Sequence, residues 1–196
     1  MNVSRKNDIL SNIILILVLI SSVWGILWSL FLYGFSDLRY FTNLSNLIVF
    51  VTVFLVFINK HDQKWFKYLS TIALINITMT GLIYHLLLGT PPISFQSHLT
   101  HTFTPILYVV FYYVSLEETI KPKQFWVSLL FPLAYFTFFL ATGPITEFYP
   151  YWFMNVAEYG FGTVMKLVGL FMLPAIALLS WIMIYIKYIF LTKKQG

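Results

Sequence analysis

Cysteine is absent from this chain, which excludes disulfides, thiolate metal sites and a catalytic thiol. Charge is scarce: Asp, Glu, Lys and Arg make up 10% of the 196 residues, against roughly 25% in an ordinary soluble domain. Too few ionisable groups remain to clothe a water-facing surface. Period-two alternation of apolar and polar residues is missing as well, which excludes a transmembrane barrel. There is no internal repeat, low-complexity tract or linker, so a single domain is expected over 1–196.

What the chain has in quantity is hydrocarbon. It is 59% hydrophobic, with a mean hydropathy of +0.81. The apolar residues gather in six blocks, about 9–33, 40–59, 66–89, 96–115, 123–141 and 164–187. About 20 apolar residues let a helix cross the roughly 30 Å hydrocarbon core, and helices satisfy their own backbone there. The fold class read from this is all-α: a polytopic membrane protein with six transmembrane helices, arranged as three hairpins. The first block is too long for a signal-peptide core and lacks a small-residue cleavage site, so it is expected to be retained.

The net charge of +5 reads as topology rather than as a nucleic-acid surface. Ten cations, Arg5, Lys6, Lys60, Lys64, Lys67, Lys121, Lys123, Lys187, Lys193 and Lys194, fall on one side of a six-helix arrangement. The other side has Arg39, with Lys166 near a helix end where it can snorkel. Positive residues favour the cytoplasmic side of short loops, so both termini are expected inside. Trp65 and Trp126 then belong to the inner interface and Trp152 to the outer one. The outward segment 142–163 is too apolar for a solvated loop and is expected in the interface or folded over the bundle.

The polar residues concentrate at the outer ends. The stretch "RYFTNLSNL" opens the second helix with Thr42, Asn43, Ser45 and Asn46; Thr42, Ser45 and Asn46 share a face by their i, i+3, i+4 spacing. "SHLTHTFTP" opens the fourth with His98, His101, Thr102 and Pro105 on one stripe. Asn76, Thr80 and His85 lie on the third. Polar side chains in membrane helices commonly join helices by hydrogen bonds of about 1 kcal/mol or less, and that reading suits Asn76, Thr80, Ser45 and Asn46. His85 and His98 can reach the interface. His101 lies about 7 Å into its helix at 1.5 Å per residue, and an ionisable residue at depth is a functional-site hypothesis by default. Pro105 is expected to bend the fourth helix; Tyr108 and Tyr112 are expected to pack.

Three chemistries compete. If the second and fourth helices are neighbours at 8–10 Å, the Thr42 hydroxyl and a histidine base form the minimum for nucleophilic catalysis, with Asn43 or Asn46 as an amide donor to an oxyanion. Asp37 and Glu158 are the acids on the correct side to orient His101. Metal is the second: His85, His98 and His101 could be three nitrogen ligands with water as the fourth. His85 faces away from Asn76 and Thr80, however, and no carboxylate completes the set, so the expectation is no metal and no cofactor. Transport or simple lipid binding is the third. The polar cluster sits near one surface rather than at mid-membrane, which suits a pocket better than a path.

Taken in order, "RYFTNLSNL", "SHLTHTFTP" and "FYPYWFMNVAEYG" resemble the androgen-induced protein family, which includes the androgen-dependent TFPI-regulating protein and bacterial six-helix relatives. The resemblance spans nearly the whole chain. It implies an intramembrane threonine hydrolase acting on fatty-acid esters, with Thr42 as nucleophile and His101 as its histidine. Asn43, Ser45, Asn46, His85, His98, Thr102 and Tyr149 are read as pocket-lining or supporting residues, and the expected setting is a bacterial plasma membrane. Ser97 stands where the animal motif has Asn. Pro105 is one residue nearer its histidine, and Tyr149-Pro150 is followed by Tyr151-Trp152-Phe153. These departures point to the bacterial branch. The expected partner is a membrane lipid or other amphiphilic ester.

Overall fold

A computed structural model describes residues 5–89 and 93–195, with side chains through Lys193; the side chain of Lys194, counted above among the inner cations, lies outside the described set. Six long helices follow one another: α1 Ile9–Tyr33, α2 Phe41–Phe57, α3 Phe66–Leu88, α4 over 95–115, α5 Pro122–Thr146 and α6 Phe161–Lys193. No strand occurs among the described residues; one isolated bridge joins Arg5 to Leu116. Helices α1, α3, α5 and α6 are long and apolar enough to cross a membrane. Helix α2 is a shorter apolar helix of 17 residues, about 25 Å at 1.5 Å per residue.

The helices form and stop for local reasons. Asp8 caps α1, its carboxylate accepting from the Ser11 N–H at 2.7 Å, and that bond holds the Asp8 carboxyl below the usual carboxylate range. Gly34, at φ 75°, ends α1 in a conformation that a Cβ would strain. Helix α5 runs five residues beyond the expected 141, through Gly143 and Pro144 to Thr146. Glu147 in the left-handed region stops it.

The core is apolar, with Ile14, Leu15, Val18 and Ile26 of α1 buried in it, yet the outward faces are apolar as well. Helix α1 buries Ser11, Ser21, Ser22, Gly25 and Ser29 and turns Ile9, Ile20, Trp24, Leu27 and Phe31 outward; Phe31 is 87% exposed and Ser22 is fully buried. Small inward residues let backbones approach, and large apolar residues facing outward match a hydrocarbon solvent. Trp65, Trp126 and Trp152 are all about half exposed. Helix α3 is central, touching α2, α4, α5 and α6, while α1 packs on α2 and α4. The second and fourth helices therefore meet near their N-terminal ends, between α1 and α3.

Three of the helices contain a wide turn with i→i+5 bonding: Tyr84–Leu88 in α3, Leu99–Phe103 in α4 and Lys166–Met172 in α6. Such turns insert a residue into the helix and are frequent at functional sites. In α4 the turn lies just before Pro105, which has no N–H to give and loosens the ladder further.

Candidate active site

Thr42 occupies the first turn of α2, whose entry is fixed from below. The carboxylate of Asp37, in the turn Phe35–Arg39, accepts from the Ser29 hydroxyl of α1 and from Asn43 Nδ2 at 2.8 Å. The same Asn43 amide donates to the Asp37 carbonyl at 2.8 Å and reaches the Ser29 hydroxyl at 3.1 Å. One carboxylate thus ties α1, the turn and α2 together.

His101 is presented by the wide turn of α4. Its Nε2 lies 3.1 Å from Thr42 Oγ1. Its Nδ1 lies 3.0 Å from the Ser97 carbonyl and 3.0 Å from Thr100 Oγ1. A carbonyl can only accept, so Nδ1 carries the hydrogen and Nε2 presents its lone pair to the Thr42 hydroxyl. The Thr100 carbonyl, which meets Pro105 rather than an N–H one wide turn on, accepts from Asn46 Nδ2 at 3.2 Å. Asn46 also donates to the Thr42 carbonyl at 2.8 Å, locking α2 against α4 beside the pair. Tyr84, in the wide turn of α3, stacks on the imidazole at 3.8 Å between ring centres and 18° between planes.

Two close approaches hold this arrangement. A Cβ on Gly25 of α1 would lie 2.8 Å from Thr100 Cγ2, and a Cβ on Gly81 of α3 would lie 3.1 Å from the His101 carbonyl oxygen. Neighbouring helices press on the turn from both sides with no room left for a methyl group.

Two cavities meet at Thr42. The first is polar, about 240 Å³, bordered by Asp37, Tyr40, Asn43, Gln96, Thr100 and His101. The second is a narrow apolar slot of about 60 Å³ running between α3, α5 and α6, bordered by Met79, Ile83, Phe136, Val168, Met172 and Ile176. Thr42, Tyr84, Leu88 and Tyr151 border both. The segment following α5 folds back over the bundle to close the slot, burying Pro150, Phe153 and Met154. Tyr151 stacks on Phe153 at 5.2 Å and meets Tyr40 edge-on at 6.0 Å. Its hydroxyl lies against the Thr42 side chain and the backbone N–H groups of Thr42 and Phe41. Burial pushes this phenol up to about 12, against the opposing effect of those neighbours.

The structure thus brings Thr42, Asn43, Asn46 and His101 together and separates the others. His85 Nε2 and His98 Nδ1 converge instead on Thr102 Oγ1, at 2.9 and 3.3 Å, on an outer face that borders neither cavity. The wide turn is the cause: it rotates His101 away from the stripe that the sequence assigned to His98 and Thr102. The three histidines are accordingly split, and no group of three His, Cys, Asp or Glu able to hold a metal occurs among the described residues. Ser45 is fully buried and borders neither cavity. Tyr149 packs its ring on Gly143, where a Cβ would come within 2.3 Å of it. Two sequence expectations about roles need correction. The NH₂ groups of Asn43 and Asn46 are occupied by Ser29, Asp37, Thr42 and Thr100, so neither aims at a substrate oxygen. Neither acid orients His101, because Asp37 serves Ser29 and Asn43 while Glu158 accepts from Asn155; the Ser97 carbonyl does so instead. Thr100, Tyr84 and Tyr151 were not marked by the sequence. Comparisons of the chain with protein-family models, with curated proteins and with solved structures return no match.

Proposed function

We propose that this chain is a membrane hydrolase that cleaves an ester of a lipid or other amphiphile, with Thr42 as nucleophile and His101 as general base. The observation that carries the reading is the 3.1 Å contact from Thr42 Oγ1 to His101 Nε2, in a ring whose tautomer is set by the Ser97 carbonyl. A hydroxyl, a base within hydrogen-bond reach and a third group orienting the base are the signature of an activated nucleophile. The adjoining cavities support an amphiphile: the slot suits an aliphatic chain, the polar cavity the other side of the ester.

In the reaction, the Thr42 oxygen attacks the ester carbonyl carbon as its proton passes to His101 Nε2. Collapse of the tetrahedral species breaks the bond to the leaving alcohol, which takes that proton back from Nε2. The polar cavity then admits a water, which His101 deprotonates for attack on the acyl-threonine; the acyl–Oγ1 bond breaks, the acid leaves and Thr42 takes the proton back from Nε2. The resemblance in motifs is in keeping with this chemistry. The same proposal sets six spans in the cell membrane with both termini cytoplasmic, from the loop charges, and puts the Thr42–His101 pair in the outer leaflet.

The test is hydrolysis of a panel of long-chain esters by the purified protein, together with labelling by a fluorophosphonate. Thr42→Ala and His101→Ala should each abolish both, and the double variant should be no worse than either single one, since such pairs act as a unit. Thr78→Ala, which removes only a hydroxyl bonded back to the Leu74 carbonyl, should keep full activity. Full activity in Thr42→Ala refutes the assignment.

A further inference from the structure

The correction to Asn43 and Asn46 leaves the proposed reaction without a donor for the negative oxygen that forms when Thr42 attacks a carbonyl. The geometry points to Tyr151 as that donor: its phenol O–H, backed by the first-turn amides of α2, is the group that stabilises the oxyanion. This inference rests on the Thr42–His101 hydrolase reading and names a further catalytic residue for it.

The argument begins with α2. The first N–H groups of a helix have no acceptor within it. Here the Tyr40 carbonyl takes those of Asn43 and Leu44, which leaves Phe41 and Thr42. The Tyr151 hydroxyl oxygen lies against just these two N–H groups and the Thr42 side chain. The positive ends of the two N–H groups face the phenol oxygen and polarise its O–H, an effect the helix dipole reinforces within the first turn. A second phenol, Tyr135, stands beside it, but its proton is committed to the Arg39 carbonyl at 2.8 Å. Of the two phenols, Tyr151 is the one that borders both the polar cavity and the slot at Thr42, where its O–H can turn from its neighbours to a substrate oxygen. Its ring is fixed by stacking on Phe153 and by the edge of Tyr40, so the donor is oriented before substrate arrives.

The chemistry balances without a further reactant. As the Thr42 oxygen bonds to carbon, the carbonyl π pair moves to oxygen, and that oxygen accepts a hydrogen bond from Tyr151 Oη–H. The phenol keeps its proton throughout; it donates a hydrogen bond and transfers nothing. The pair returns to re-form the carbonyl as the leaving alkoxide departs with the proton held by His101. Tyr151 repeats the service when water attacks the acyl-threonine.

The test is Tyr151→Phe, which keeps the ring and both of its aromatic contacts. Removal of one oxyanion donor lowers kcat about 10²–10³-fold in a well-studied case, and a loss of that order is expected here with KM within about twofold and an unchanged melting temperature. Tyr159→Phe, on the outer segment away from both cavities, should keep kcat. A Tyr151→Phe variant with kcat near wild type overturns this inference and leaves Thr42 and His101 standing. A loss expressed only in KM, or together with a lower melting temperature, assigns Tyr151 to binding or packing and overturns it as well. An inactive wild type overturns the hydrolase reading and this inference together.

Discussion

Gly25→Ala is the most informative single-methyl change in this fold, because two effects of opposite sign meet at one atom. In a helix interior alanine is favoured over glycine by about 1 kcal/mol. At Gly25 the new Cβ would lie 2.8 Å from Thr100 Cγ2, where carbon atoms prefer about 3.5–4.0 Å. Thr100 cannot simply turn aside. It is β-branched and stiff at χ1, fully buried, and its hydroxyl is engaged with the Gln96 carbonyl at 3.2 Å and with His101 Nδ1 at 3.0 Å. Relief must come from moving the wide turn of α4 by about half an ångström or more. Overpacking of this kind costs about 1–3 kcal/mol, so the net expectation is a loss of up to about 2 kcal/mol. Because the turn that moves carries His101, the catalytic effect should exceed the effect on stability: a misplacement of about 1 Å can cost 10²-fold in rate. The assay pairs thermal unfolding in detergent with ester turnover. Gly162→Ala is the control, since nothing lies within 4 Å of its Cβ; that variant should be neutral or slightly more stable. Should Gly25→Ala be as stable and as active as Gly162→Ala, the idea that α1 braces the histidine is wrong.

Topology is open to a direct check, and the lack of native cysteine removes background labelling: a single cysteine at exposed Ser94 should react with a membrane-impermeant thiol reagent in intact cells, and one in the loop 116–123 should not. The reverse pattern would invert the proposed orientation. Lys187 is buried and donates to the carbonyls of Tyr113 and Leu116 at the end of α4; Lys187→Met should cost about 1–3 kcal/mol for each carbonyl left without a donor, read as a lower melting temperature in detergent, and an unchanged one would mean that water replaces the ammonium.

How far the sequence could be read follows from what each feature leaves in it. Helix α1 has the bounds its apolar block suggests, 9 to 33, because Gly34 is a visible stop. The apolar block stops at 141, whereas α5 continues through Gly143 and Pro144 to Thr146. Proline in a helix forfeits one bond rather than all of them, and Gly143 is needed there to receive the Tyr149 ring. Thr42 and His101 were legible because polar side chains deep in apolar blocks are conspicuous. What held them was not. The group orienting His101 is a backbone carbonyl, which no residue type advertises, and the wide turn that presents the histidine adds a residue without altering composition. Tyr84 and Tyr151 are tyrosines among thirteen; only the wide turn of α3 and the folded-back segment after α5 single them out.

The use of a carbonyl in place of an orienting acid has a chemical consequence. In Ser-His-Asp enzymes the buried aspartate both fixes the tautomer of the histidine and stabilises the imidazolium formed during attack. The Ser97 carbonyl does the first by accepting from Nδ1. It contributes only a dipole to the second. Asp37 stands at the same end of the bundle, but its Oδ2 is held by Ser29 and Asn43, and moving it toward His101 would release the entry of α2 that carries Thr42. The carboxylate therefore builds the site without touching the imidazole. The remaining electrostatic work falls to neutral dipoles: the Ser97 carbonyl, the free amides at the start of α2 and the Tyr151 hydroxyl. Such groups avoid the desolvation cost that a formal charge meets inside a membrane. On the proposed reading, a nucleophile–base pair is assembled within the membrane with no ionic partner on the base, which would account for four polar residues crowding the first two turns of a helix that is otherwise hydrocarbon.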